Sequence, residues 1–132
     1  MSSSDIDRKI AVILATDVVG YSKHMEKDED ATLSSLNDCN KIIEPLIKKQ
    51  KGRIFNTGGD SVFAEFPSAV AAVNTAVEFQ KQIKARNDKD TTEVKLEYRI
   101  GINMGDVVKQ GDKNLMGDGV NIAARLEALA QP

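Results

Sequence analysis

Two aspartates, an asparagine and an arginine are the side chains of this sequence whose placement invites chemistry. Asp17 closes an apolar run, IAVILA at 10–15, after Thr16. A carboxylate beside such a run is costly to desolvate unless it is used. Asp60 follows Gly58-Gly59, where two short strand-like runs meet in RIFNTGGDSVFAEF. If the first strand and this hairpin are sheet neighbours, both carboxylates fall at one end of the sheet. There they could share divalent cations and bind a triphosphate. Read singly, Asp60 is a turn residue and Asp17 a solvated strand terminus. The stretch after Asp17 (Val18, Val19, Gly20, Tyr21 and Ser22) passes into a short helix. Backbone amides at such a turn can cradle phosphate oxygens, and Gly20 permits close approach, although many strand-to-helix turns with one glycine bind nothing. In GVNIAARLEALA, Asn121 and Arg125 lie four apart and share a helical face. Arginine can clamp an oxyanion bidentately and asparagine can orient a hydroxyl; a wet stripe on an amphipathic helix is the plain alternative. His24 reads as surface, Cys39 as a small core residue, and the lysines at 48–51 as solvated.

These side chains need elements to hold them. Residues 10–15 are apolar at every position, the pattern of a strand buried on both faces. From Asp28 the period becomes helical through Leu33, Leu36, Ile43, Leu46 and Ile47, with a kink expected at Pro45 and a stop before Gly52. The hairpin turn is placed at Gly58-Gly59. Ser68 caps a second helix whose inward residues read as Val70, Val73, Val77 and Ile83. NDKDTT at 87–92 reads as a polar loop. VKLEYRIGIN then alternates cleanly, placing Val94, Leu96, Tyr98, Ile100 and Ile102 on one face of a strand. After Gly105 a further short strand pair turns at Gln110-Gly111-Asp112, and a last helix covers about 118–130. The expected fold is α+β: a ferredoxin-like, palm-type βαββαβ core with a mixed, largely antiparallel sheet and the helices packed on one face. Residues 1–7 read as a flexible tail and 8–132 as one domain.

Composition narrows the function classes. The 132 residues carry 41% hydrophobic and 29% charged side chains, an ordinary balance for a folded chain. A net charge of -2 argues against a nucleic-acid footprint. One cysteine and one histidine exclude a disulfide framework and a zinc cluster, so a metal would be a hard cation held by carboxylates. No apolar run approaches the roughly 20 residues of a membrane span, and MSSSDIDRK lacks a signal-peptide core. The expected location is cytoplasmic, with no membrane contact from this segment.

Together the residues resemble the class III nucleotidyl cyclases, the adenylate and guanylate cyclase catalytic domain. ATDVVGYS at 15–22, NTGGDSVFAEFPS at 56–68, and RIGINMGDVV with MGDGVNIAARLEAL at 99–129 carry the match. The resemblance implies a head-to-tail homodimer with active sites between protomers. It implies that Asp17 and Asp60, with the Val18 carbonyl, bind two Mg²⁺ or Mn²⁺ ions. From the opposite protomer, Asn121 would orient the ribose and Arg125 would meet charge developing on the α-phosphate. ATP would become cyclic AMP and pyrophosphate. Adenylate cyclases commonly carry a Lys four residues before the second metal aspartate and an Asp three before the glycine of the last segment; here Asn56 and Asn114 stand there. An amide both donates and accepts, so GTP is an alternative substrate. The family domain usually continues further, with another Lys that contacts the triphosphate, and regulatory domains normally lie elsewhere in a longer chain. The competing readings are a weak or inactive regulatory module of the same fold, binding nucleotide or a partner, and a diguanylate cyclase suggested by Gly58-Gly59-Asp60. Against the latter, Ser61-Val62 replaces the acidic-aromatic pair.

Overall fold

The structure, a computed structural model, describes residues 7–89, 94–110 and 114–132. Among the described residues nine elements follow one another: β1 (Asp7–Val18), α1 (Tyr21–Lys27), α2 (Glu29–Lys49), β2 (Arg53–Gly58), β3 (Ser61–Phe66), α3 (Ala69–Lys89), β4 (Tyr98–Gln110), β5 (Asn114–Met116) and α4 (Asp118–Leu129). The strands form one sheet in the order β2-β3-β1-β4-β5. Every pairing is antiparallel, rather than mixed. β1 is central, and its run from Ala11 to Thr16 is buried throughout because both faces are covered.

The helices do not share one face. On one side α2 and α3 pack Leu36, Cys39, Ile43, Ile47, Ala72, Phe79 and Ile83 against Val12, Leu14 and Tyr98. On the other, α4 lays Ala123 over Ala11, Ile13, Ala15 and Val107. Small residues permit that second layer. A Cβ at Gly101 would collide with the α4 backbone at Glu127 N and Ala123 O, and one at Gly119 would lie 2.5 Å from the Asp106 carbonyl. Asn103 fixes the start of the helix by donating from Nδ2 to the Gly119 carbonyl at 3.2 Å. α4 therefore runs along β4, from Asp106 at its N-terminal end to Arg99 at its C-terminal end.

Local chemistry explains most boundaries. Asp28 caps α2 by accepting from Ala31 N, and Ser68 accepts from Ala71 N at the start of α3. α2 is continuous across Pro45, which is exposed. Leu33 also faces outward, at 42% exposure. The inward residues of α3 are Ala71, Ala72, Thr75, Phe79 and Ile83, while Val70, Val73 and Val77 are exposed. Alanines let that helix approach closely and Phe79 supplies the volume, meeting Tyr98 edge-on at 4.9 Å. The hairpin turn is Gly59-Asp60, one residue later than expected, since Gly58 pairs with Ser61 and Gly59 takes the positive φ of 56°. β4 does not break at Gly105; it continues to Gln110, and Gly111-Asp112 lie outside the described residues. α3 reaches Lys89, into the expected polar loop, whose residues 90–92 also lie outside them. Of the expected N-terminal tail only Asp7 is described, and it opens β1. No helix among the described residues is long and apolar enough to cross a membrane.

Candidate active site

The end of β1 gathers the charged groups. β1 pairs with β4 so that Asp17 stands directly opposite Arg99, and the pleat turns both toward the face covered by α4, like Ala15 and Gly101 before them. Arg99 grips Asp17 with two bonds: Nε donates to Oδ1 at 3.1 Å and Nη2 to Oδ2 at 2.9 Å. Asp60 arrives from the hairpin turn, where its Oδ2 accepts from Val18 N at 2.8 Å. This bond joins the β2–β3 turn to the last residue of β1, so the two aspartates and Val18 form one cluster.

A third carboxylate completes it. Glu127 of α4 is 7% exposed, its Oε2 lies 3.6 Å from Arg99 Nε, and that oxygen has no hydrogen-bond partner among the described residues. Burial, and then the neighbouring Asp17 carboxylate, push the Glu127 carboxyl up to about 7, against the opposing pull of Arg99. The guanidinium of Arg99 is held further in its charged form, chiefly by its bonds to Asp17. Its Nη1 also donates to the Ala128 carbonyl at 3.1 Å, a favourable place for a cation at a helix C-terminus. Neither Arg99 nor Glu127 stands out in the sequence, because nothing there fixes the β1–β4 register that sets Arg99 against Asp17.

The other candidates lie around this cluster. Val19 N donates to the Glu97 carbonyl, and Gly20 adopts a left-handed φ of 64° at the start of α1. A Cβ there would meet nothing, so the open space beside it is real. Ser22 is exposed, whereas Tyr21 is half-buried against the α2–α3 core. Asn56 is exposed on β2, just after the irregularity between Ile54 and Asn56. Asn114 is exposed on β5 and accepts from Leu115 N. His24, expected at the surface, is half-buried, and its carbonyl accepts from Thr32 Oγ1.

Asn121 and Arg125 are exposed, while Gly119, Ala123 and Glu127 are the buried residues of α4. At 100° per residue, Asn121 and Arg125 lie on the side of the helix turned away from the sheet. Within one chain they are therefore not brought to Asp17 and Asp60. The aspartate cluster suits a hard cation in its donor chemistry, and it already holds one positive group, the guanidinium. Among the described residues no set of three or more His, Cys, Asp or Glu side chains is arranged to hold a metal by itself.

Comparisons with known proteins identify the family and the fold. The model of the "Adenylate and Guanylate cyclase catalytic domain" family matches residues 5–132. The provisionally named adenylate cyclase 3 of Rhizobium meliloti (strain 1021) is 44% identical over all of this chain, which spans only 22% of that protein's length. A crystal structure of an adenylate/guanylate cyclase/hydrolase from Silicibacter pomeroyi superposes with a TM-score of 0.86 at 39% identity, over 96% of this chain and 74% of that one. The adenylyl cyclase CyaB from P. aeruginosa gives 0.81 at 27% identity, over the same shares. Divalent metals are general in this family. Since the family match takes in every described element, from the central strand to the α4 layer, the chain belongs to the adenylate and guanylate cyclase catalytic domain family.

Proposed function

We propose that this domain converts ATP to cyclic AMP and pyrophosphate at sites shared between two copies of the chain. The observation that carries the reading is the separation of two polar sets by α4. Asp17 and Asp60 cluster at one sheet end, while Asn121 and Arg125 point outward from the same chain's helix. Outward-facing groups of that kind complete a site only on a neighbour, which a two-fold pair of chains would supply twice.

The residues divide the work. Asp17, Asp60 and the Val18 carbonyl hold the cations. When bound, two Mg²⁺ or Mn²⁺ ions would make the ribose 3′-hydroxyl a better nucleophile and offset charge on the leaving pyrophosphate. The turn at Gly20, Tyr21 and Ser22 offers backbone amides to phosphate oxygens, while Val19 N is held by the Glu97 carbonyl. From the partner, Asn121 orients the ribose and the forked donors of Arg125 meet the α-phosphate oxygens, where charge grows as O3′–P forms and P–O to pyrophosphate breaks. Asn56 and Asn114 read the base, with amides that suit adenine or guanine by flipping. ATP is preferred on the 44% identity to a protein named as an adenylate cyclase.

Mass spectrometry of the products formed with Mn²⁺ and either ATP or GTP tests the reading. The expected result is cyclic AMP, in excess over cyclic GMP, lowered at least about a hundredfold by Asp17→Ala. Cyclic GMP in excess would reassign the substrate. No cyclic product from folded protein would leave a nucleotide- or partner-binding module.

A further inference from the structure

Arg99 is placed between two acceptors that compete for it. It spends two bonds on Asp17, directly across the β1–β4 pairing, and a third on the Ala128 carbonyl at the end of α4. Beside it, Glu127 Oε2 is buried without a hydrogen-bond partner among the described residues. Leaving such an oxygen unpaired is costly, and Arg99 Nε is only 3.6 Å away. A guanidinium has five N–H donors on a planar fork, so a small displacement would exchange the Asp17 bonds for a pair to Glu127. A divalent ion supplies the reason for that displacement. It needs the oxygens Arg99 now holds, and it repels a neighbouring positive group.

The displacement would be felt by α4. Gly101 lets the helix backbone rest on β4 with no side chain between them, and the contact is at Glu127 and Ala123. Packed backbone transmits a shift that flexible side chains would absorb. The helix so moved carries Asn121 and Arg125 on its other side.

We propose that Arg99 is a positioning residue that occupies the cation position on Asp17 until a divalent ion displaces it onto Glu127, relaying the loading of one site to the helix that serves the other. The inference rests on the cation role of Asp17 given above, and goes beyond it in assigning Arg99 and Glu127. Arg99 would then be both competitor for the metal and link between the two sites. Its removal should strengthen metal binding, whereas removal of a residue that merely braces the site should weaken it.

The test is Mn²⁺ binding to the full chain, followed by the electron paramagnetic resonance signal of free Mn²⁺ at one pH on the alkaline side of neutrality. Arg99→Met should bind Mn²⁺ about threefold tighter or more, since a competing positive charge is gone. Glu127→Gln, which denies Arg99 its second anion, should bind about threefold weaker or more. In the unaltered chain, the Arg99 Nε–H resonance should move during a Mg²⁺ titration and stay fixed in Asp17→Asn. This spectroscopic signature and the near-isosteric Glu127→Gln carry the test if Arg99→Met does not fold. Unchanged or weaker Mn²⁺ binding in Arg99→Met, with binding lost in Asp17→Asn, would overturn the inference alone. So would a stationary Arg99 resonance while Mg²⁺ binds, or unchanged Mn²⁺ affinity in Glu127→Gln. Unchanged binding in Asp17→Asn would remove the cation role itself, and the inference with it.

Discussion

Glu127 makes the charged cluster a source of pH-dependent stability. Its carboxyl rises from 4.5 to about 7 on folding, first because it is buried and then because Asp17 and Asp60 lie near, with Arg99 opposing. The native state therefore holds a proton there that the unfolded chain releases at lower pH. The contribution is complete below about pH 4.5 and is lost as pH rises through about 7. Allowing for solvent screening, the loss is about 1–2 kcal/mol. Urea unfolding with EDTA present should show Glu127→Gln gaining stability on the unaltered chain across that interval; parallel curves would remove the shift. Little of this was legible in the sequence. Asp17 and Asp60 announce themselves by their places, one after an apolar run and one after paired glycines. Arg99 and Glu127 become visible only once the register sets the first opposite Asp17 and the layering of α4 buries the second.

At the level of elements, the junction of α4 with β4 depends on glycine where the helix crosses the strand. Gly101→Ala would drive a Cβ into the α4 backbone. The helix must lift away, which should cost about 2 kcal/mol or more. Gly58→Ala is the comparison, because a Cβ there meets nothing within 4 Å, and its effect should stay within about 0.5 kcal/mol. Chemical denaturation of the two variants checks both; equal midpoints would mean that α4 does not rest on Gly101. The same junction explains which elements the sequence made legible. β1 and α2 follow from runs and periods that match their burial except at Ile10 and Leu33, which are exposed, and the alternation expected from Val94 becomes strand only at Tyr98. The second helical layer does not, because an apolar helix shows no preference for a face, and close packing through single glycines leaves no periodic trace. The valines of α3 misled for a related reason: alanines and Phe79, not the β-branched residues, are what fit against that side of the sheet.

For the whole molecule, the decisive feature is that one chain carries both polar sets but turns them apart. If two copies complete each other, damage to one set can be compensated by a partner intact in that set. Asp17→Ala and Arg125→Ala chains, each expected to lose about a hundredfold or more of the cyclase activity, should recover activity on mixing. With random pairing, half the dimers are mixed and each holds one undamaged site, so the recovery should reach about a quarter of the unaltered level. It should also fall on dilution, as pairs dissociate. A mixture of Asp17→Ala with Asp60→Ala should recover nothing, because both lesions fall in the same set and every site is missing an aspartate. Recovery in that second mixture would assign Asp17 and Asp60 of one site to different chains. No recovery in the first, when both chains fold and pair, would place all four residues in one chain's site. α4 would then have to turn its outer face toward the sheet, against the buried positions of Gly119, Ala123 and Glu127.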